Sequence, residues 1–557
     1  MDYKFIERHI KVALTNLKIN DDFPFIVEVI KDNKLGDFSS NVCMVTAKKY
    51  MMNVAELGKK LRFELAKNSR YYEKIDYVHP GFLNFFLKKS IYKRVIDYYS
   101  KTNFAFRKIP KVKREKINIE YVSANPTGFL HLGHVRNGLI GDVVARVLKA
   151  CGNEVTTEFW INDLGNQVNL FTNSIFVRYL ELYKKIVPFS ENGYQGKEPY
   201  IVAEMLKKKF KKKFVNCEFD WENGIHDKKV NTQIMRFALN SMLNRIKRDL
   251  SLIGVKIEVW TSETKLYKTK IFDFIREKYL QNVLYKKDGA LWIKSTQGGD
   301  DKDRVLLKSN GATTYFLTDI ANHYNKLQRG VQKMINVWGA DQTGQIKKLR
   351  FAIGHFCDEQ NQLVVLLYQM VRLIKDGKEV RFSKRKGQTL TIPDLLNFFD
   401  PDSIRWLILS QSMSSPIFID INTQKQQIQK NTVYYVQYAY ARVCQIIKKV
   451  EKKFQFNECK NFNLLTDIRE RNMIIQMLSF ETLLHKINHN YEIHLLCNFL
   501  NSFAHTLNSW YDDCHVLSEK KQLAEQRYWL MKAVENLIRN VLNLIGIKIQ
   551  KTMKRLK

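Results

Sequence analysis

Between Lys116 and Gly152 the pattern of apolar and polar positions changes its period. Ile117, Ile119 and Tyr121 alternate with polar neighbours, the period-two signature of a strand. Pro126 and Gly128 interrupt it, and Leu139, Val143, Val147 and Leu148 then recur at helical spacing until Cys151-Gly152, a helix stop. A second strand-like run, EVTTEFWIND, follows at once. Strand, helix and strand in so short a span predict a βαβ unit. Its consequence is a parallel sheet with right-handed crossovers, whose ligand sites lie at the carboxyl ends of the strands.

The same pattern returns far downstream. MINVWGADQTG (334–344) reads as a strand ending in a glycine-bearing loop before the helix IKKLRFAIGHF, and LVVLLYQMVRLI (363–374) supplies further sheet. The stretch between, about 176–305, is lysine-rich with helical and hairpin-like sequence, so a sheet domain over 109–400 is predicted to be split by an insertion. Ahead of it, residues 1–108 mix helical periodicity with the strand-like YVHPGFLNFFLKKS and run into the polar linker RKIPKVKREK (107–116), predicting a small α/β domain. Beyond Pro401 the pattern is helical through NTVYYVQYAYARVCQIIKKV to NLIRNVLNLIGIKI, which predicts an all-α bundle over 401–557.

Charge narrows the choice of partner. The chain of 557 residues carries 91 Lys+Arg against 56 Asp+Glu, a formal +35. Such a field attracts polyanions and makes nucleic acid the leading partner class, although lysine enrichment by coding bias would give the same charge merely solvated. The eight cysteines, Cys43, Cys151, Cys217, Cys357, Cys444, Cys459, Cys497 and Cys514, include no Cys-x-x-Cys pair, which predicts reduced thiols in a cytoplasmic compartment. Cys497, His505, Cys514 and His515 match no zinc spacing, so no protein-bound zinc and no other metal site is expected. Charges interrupt the apolar positions of the amino terminus and of every later run, so no signal peptide and no membrane span are expected.

The turn between the first strand and its helix reads HLGH, His131 to His134. Free N–H groups and the helix dipole make such a turn an anion site. His131 and His134 could donate to phosphate oxygens there, and Gly133 would let a flat base or ribose approach the backbone. Two histidines at a helix start could equally be surface residues, and context decides between the readings. HLGH in this setting resembles the His-Ile-Gly-His signature of class I aminoacyl-tRNA synthetases. VRFSKRKGQTLT (380–391) resembles their second signature, Lys-Met-Ser-Lys-Ser. That resemblance implies that His131, Gly133, His134, Phe382, Ser383, Lys384 and Arg385 bind ATP, with His131, His134, Ser383 and Lys384 catalytic. Arg381 stands for the first Lys and Phe382 for Met, so the reactive role falls to Lys384.

YVSANPTGFLHLGHVRN, VTTEFWINDLGNQ, INVWGADQTG and TVYYVQYAYARV are similar, segment by segment, to the bacterial arginyl-tRNA synthetase family, from about residue 30 to the end. The family implies an α/β protein: a split Rossmann-like parallel-sheet catalytic domain with insertions, an α/β N-terminal domain that touches the tRNA elbow, and a C-terminal all-α anticodon-binding bundle. It implies L-arginine, ATP as its Mg2+ complex and tRNA(Arg) as substrates, with arginine activation dependent on bound tRNA. A monomer is the expected state. By the same resemblance Glu120, Asn125, Tyr315, Asp319 and Gln342 form the arginine pocket and Asp341 shapes it. The chemistry agrees, since a guanidinium is best held by carboxylates and amide oxygens beside an aromatic wall. Taken singly, Asn125 and Asp319 could be turn or cap residues and Tyr315 core packing. In the bundle, Tyr434 and Tyr438 are the expected RNA contacts, while some of Tyr434, Tyr435, Tyr438 and Tyr440 must face the core at their helical spacing. Asn322 replaces the tyrosine of the family's Asp-Ile-Ala-Tyr-His run, which leaves the role of His323 open. Two other readings stand beside this one: another class I synthetase, and an RNA-binding paralogue that has lost its chemistry.

Overall fold

Strands rich in β-branched residues and buried on both faces, such as Ile117 and Ile119 or Ile335 and Val337, form a parallel sheet at the centre of the catalytic region. Its order is Leu363–Tyr368, Lys333–Gly339, Lys116–Glu120, Glu154–Ile161, Val259–Ser262, and every pairing is parallel. The chain starts at Lys116–Glu120, works outward through Glu154–Ile161 and Val259–Ser262, and restarts on the other side at Lys333–Gly339. The order therefore reverses between the strands that end at Glu120 and Gly339. Connections diverge at such a switch and leave a crevice at the carboxyl ends.

In this computed structural model the described residues are all except 1, 31, 69, 103, 357–361, 377, 380–389, 421–431, 518 and 554–557. They fall into two units, Ile109–Ile428 on the one hand and Met1–Lys108 with Gln429–Lys557 on the other. The predicted βαβ unit is present as Lys116–Glu120, the helix Leu132–Ala150 and Glu154–Ile161. Two strands depart from the sequence expectation. Val259–Ser262 lies inside the stretch read as insertion, yet it rejoins the main sheet. Ile417–Asp420 lies in sequence read as helical, yet it pairs in parallel with Val371–Lys375, the centre of a separate three-stranded sheet.

The run 363–374 is thus two strands in two sheets, and a buried arginine occupies the break. Arg136, on the second turn of Leu132–Ala150, donates to the carbonyls of Gln369 at 2.6 Å, Ser412 at 2.8 Å and Ser415 at 2.9 Å. Burial pulls its pKa down to about 10, which still leaves it charged at neutral pH. Its planar fork ties the carbonyls of two loops to the start of the helix.

In the second unit an antiparallel sheet, ordered Val27–Val29, Phe38–Ser40, Phe82–Leu87, Tyr72–Val78, packs with the helices Lys4–Asn16 and Val54–Ala66. The helix Lys89–Tyr99 carries this module onto four long helices, Thr432–Lys453, Ile468–Asn490, His494–Asp513 and Lys521–Ile545. Tyr99 donates its hydroxyl to the Met477 carbonyl at 2.8 Å, and Arg471 pairs with the buried Asp37 at 2.7 Å. N-terminal module and bundle are one compact body.

Candidate active site

Beyond Glu120 the backbone enters the left-handed region at two non-glycine residues, Val122 with φ 68° and Ser123 with φ 36°. This is costly for a β-branched side chain and persists only where the surroundings enforce it. Here the Val122 N–H donates to Asn137 Oδ1 at 2.6 Å, and Asn137 Nδ2 donates to the Val337 carbonyl at 2.7 Å. One amide thus bridges the two strands that flank the switch. Ser123 Oγ donates to Glu120 Oε1 at 3.1 Å and accepts from the Trp160 N–H at 3.0 Å.

His131 caps the helix Leu132–Ala150 with extended backbone. Its Nδ1 accepts from the Gly133 N–H at 3.2 Å, and His134 Nδ1 accepts in return from the His131 N–H at 3.2 Å. This reciprocal cap satisfies two of the helix's orphan donors. It also fixes a tautomer, since a neutral imidazole that accepts at Nδ1 carries its proton on Nε2. The two ring centroids lie 3.9 Å apart at 38°. A Cβ on Gly133 would lie 3.1 Å from His131 Cε1, so glycine here admits the histidine ring. Thr391, a short way downstream of Lys384, forms a β-bridge with His131. Phe382, Ser383, Lys384 and Arg385 lie outside the described residues.

The helix Tyr315–Gln328 turns Asp319, Asn322, His323 and Lys326, spaced i, i+3, i+4, i+7, toward the sheet. Lys326, fully buried, lies 2.5 Å from Glu120 Oε2, and Asn322 Nδ2 donates to the same oxygen at 3.1 Å. With Ser123 on Oε1, both oxygens of Glu120 are engaged internally. Burial raises the Glu120 pKa, but Lys326 and its neighbours outweigh it and hold the carboxyl below its ordinary range. Asn322, in the place of the family's tyrosine, is therefore a ligand of Glu120. His323 is pinned between the Asp319 carbonyl at 2.7 Å and Asn336 Nδ2 at 2.9 Å, and burial lowers its pKa to about 4, keeping it neutral. Lys326→Met is expected to destabilise the fold by about 3–5 kcal/mol by stranding the buried carboxylate, and adding Glu120→Gln should restore most of the loss. Urea unfolding of the single and double variants checks this, and additive losses would refute the pairing.

A cleft of about 330 Å³ opens beside this helix, lined by Arg304, Tyr315, Phe316, Asp319, Gln345 and Lys348. Tyr315 is 60% exposed at its mouth. Asp319 has no ion pair within 4 Å among the described residues. Burial, then the charge of Glu120, pushes its pKa up to about 7 against the opposing pull of Lys348. Glu263, buried at the end of the WTSE segment, is likewise pushed up to about 7 by burial and by Asp163. The structure so brings Tyr315 and Asp319 together on the cleft, with Glu120 engaged by Lys326 close by. Asn125 is exposed and joined to Gln167 and Asn162 at 2.7 and 2.8 Å. Asp341 and Gln342 are exposed on the turn Ala340–Gln345 that follows the strand Lys333–Gly339. Sequence reasoning missed Lys326 and Glu263; the polar stripe through 319, 322, 323 and 326 was the available signal for the first.

In the bundle, Tyr434 and Tyr438 are half-buried and stack with centroids 6.1 Å apart at 10°. The Arg442 guanidinium continues the row, 4.5 Å from Tyr438 and 4.4 Å from Tyr511. Tyr440 is fully buried and donates to Glu535 at 2.7 Å, a core role.

This geometry has known relatives. Residues 101–408 match the family described as tRNA synthetases class I (R), catalytic domain, and a switch-point sheet with its histidine-capped helix is the fold of a class I aminoacyl-tRNA synthetase. Residues 4–87 match the arginyl tRNA synthetase N terminal domain and 436–553 the DALR anticodon binding domain. The chain belongs to the arginyl-tRNA synthetase family. It is 42% identical to an arginine–tRNA ligase of Mycoplasmoides gallisepticum over 99% of its length and 100% of the relative's. To one of Malacoplasma penetrans it is 36% identical over 96% and 94%. In fold it is similar to the arginyl-tRNA synthetase of Thermus thermophilus, with TM-score 0.77 at 18% identity over 99% and 100% of the two chains. Among the described residues no helix is long and apolar enough to cross a membrane.

Proposed function

We propose that this arginine–tRNA ligase holds its arginine in the cleft at Asp319 and its ATP at the histidine-capped helix start. The observation that carries the pocket is a carboxylate with no ion pair among the described residues, its pKa pushed up to about 7 by burial, beside an exposed tyrosine ring. A guanidinium supplies the missing cation and Tyr315 the aromatic wall. Asn125, Asp341 and Gln342, on loops that leave the strands, meet the α-amino and carboxylate end of the amino acid, while Glu120 sets the local field from its internal pair with Lys326.

The arginine carboxylate oxygen attacks the α-phosphorus of ATP, the bond to the bridging oxygen breaks, and pyrophosphate leaves with its electron pair. The Nε2–H edges of His131 and His134 donate to phosphate oxygens as charge moves toward the leaving group. Ser383, Lys384 and Arg385 complete the cradle beside Phe382. ATP would enter as its magnesium complex, which would offset part of the triphosphate charge. The terminal ribose hydroxyl of tRNA(Arg) then attacks the arginyl carbonyl and AMP departs. Tyr434 and Tyr438 stack on anticodon bases. Arginine activation depends on bound tRNA, a coupling between two sites. ATP–pyrophosphate exchange across amino acids tests the reading, with exchange expected for arginine alone and only when tRNA is present. Exchange driven by another amino acid would overturn the substrate, and full exchange without tRNA would overturn the coupling.

A further inference from the structure

Two cations line the cleft at Asp319, Arg304 and Lys348, and their partners differ. Arg304 donates from Nε and Nη2 to the two oxygens of Asp300 at 2.7 and 2.8 Å and reaches Asp301 as well, so its charge is balanced by carboxylates that do not line the cleft. Lys348 has no carboxylate within 4 Å among the described residues. Its Nζ stands 4.9 Å from the centroid of the Phe316 ring. Phe316 and Asp319 are three residues apart on the helix Tyr315–Gln328 and so are neighbours on its surface, which puts the ammonium beside the carboxylate. The position of Lys348 is otherwise unfavourable. It lies in the first turn of the helix Ile346–Ile353, where the dipole opposes a cation. Lys347, in the same turn, is exposed to water, whereas Lys348 is half-buried, and burial and then Arg304 lower its pKa against the pull of Asp300, Asp319 and Asp301.

A half-buried ammonium set against a dipole and a guanidinium needs an anion, and Asp319 needs a cation. After burial, Glu120 on the central sheet and Glu263 on the helix Glu263–Tyr267 push the Asp319 pKa up, while Lys348, more than Lys326, pulls it down. Lys326 is taken up by Glu120 at 2.5 Å, which leaves Lys348 for Asp319. We propose that Lys348 is the resident counter-cation of Asp319: it keeps the carboxylate charged until arginine binds and then yields it to the guanidinium, which makes Lys348 a positioning residue for the substrate. The proposal rests on the reading of this cleft as the arginine pocket. A lysine suits the task, since its flexible four-carbon stem lets the ammonium withdraw, while the planar fork of a guanidinium meets both carboxylate oxygens at once. The effect of Lys348 changes sign with pH. Where Asp319 would otherwise be protonated, Lys348 helps arginine by keeping the carboxylate ionised. Where Asp319 is ionised without help, Lys348 only repels the arriving cation.

The test uses the full chain and the variants Lys348→Met, Lys348→Arg and Asp319→Asn/Lys348→Met. The KM for arginine is measured by ATP–pyrophosphate exchange with tRNA present between about pH 6 and 8.5, and melting temperatures are taken over a wider range without arginine. In Lys348→Met the pH step in KM should move up by about one unit, so that KM at pH 7 is roughly 3- to 10-fold above that of the parent, whereas at pH 8.5 it should equal the parent's or fall below it. Lys348→Arg should keep the parent's step. In the melting series Lys348→Met should lose ground to the parent as pH rises from 5 to 8, because the ammonium stabilises Asp319 only once that carboxyl is ionised. In the Asp319→Asn background the same substitution should shift the melting temperature equally at every pH. A KM raised by the same factor at all pH values would reveal a merely structural lysine and overturn the proposal, as would a melting difference that does not depend on pH. Should arginine drive no exchange, the pocket reading fails, while the melting series still decides whether Lys348 serves Asp319.

Discussion

Alanine at His134, or at Lys384, is expected to lower the turnover of arginine activation by roughly 10²-fold or more while the KM for arginine changes little. Neither side chain has a reason to touch the guanidinium. On the proposed mechanism the negative charge they meet grows as the bond to pyrophosphate breaks, which makes their interaction stronger in the transition state than in the ground state. His134 has a second role that must be separated from the first. Its Nδ1 accepts from the His131 N–H, and losing that cap costs about 1 kcal/mol of stability. Asparagine at 134 offers an oxygen to the cap and no Nε2–H to the phosphate. Turnover that stays low in His134→Asn while the melting temperature recovers would assign the loss to chemistry. A rise in KM at unchanged kcat would contradict the assignment.

The parts of the fold that could be read from sequence are those whose signal is local. The change of period from Ile117 through Leu139 to the EVTTEF strand is contained in one short span, and the switch-point sheet follows from it. Val259–Ser262 has only four residues and sits in lysine-rich sequence, so no alternation develops before the strand ends. Ile417–Asp420 is hidden for a similar reason, as a short strand in a region whose other elements are helices. The site divides along the same line. HLGH is legible because a helix cap and an anion site are made by neighbouring residues. The partner of Glu120 is not, because Lys326 lies 206 positions away and is one of many lysines. What marks it is the stripe Asp319, Asn322, His323, Lys326, a polar helix face in a position where apolar residues would face a sheet. A buried polar face of that kind needs partners, and Glu120, Asn336 and the Asp319 carbonyl supply them. Arg136 escaped notice because its partners are backbone carbonyls, which sequence does not distinguish.

Asp319→Asn is expected to weaken arginine by roughly 10- to 150-fold, the equivalent of about 1.5–3 kcal/mol for a charge-assisted partner lost from a cationic ligand. The parent should also show a pH dependence that the variant lacks. With its pKa pushed up to about 7 by burial and Glu120, Asp319 is ionised above that pH and protonated below it. On the proposed reading arginine binds the ionised form, so its KM should rise as pH falls through 7, approaching tenfold per unit below it. In the asparagine variant the KM is high throughout and this step is absent. Stability moves the other way. In the unfolded chain the carboxyl titrates near its ordinary value of about 3.9, so between about pH 4 and 7 the folded state holds a proton that the unfolded state has released. Folding stability therefore falls with rising pH across that window, and above 7 the whole cost of ionising this buried carboxylate is present. The variant should melt higher than the parent at pH 8, with the gain vanishing near pH 4. A carboxylate retained only to hold the helix in place would give the opposite result, a variant that melts lower and binds arginine as before. Saturating arginine offers the last discrimination, because a guanidinium that neutralises Asp319 should raise the melting temperature of the parent well above pH 7 and leave that of the variant nearly unmoved.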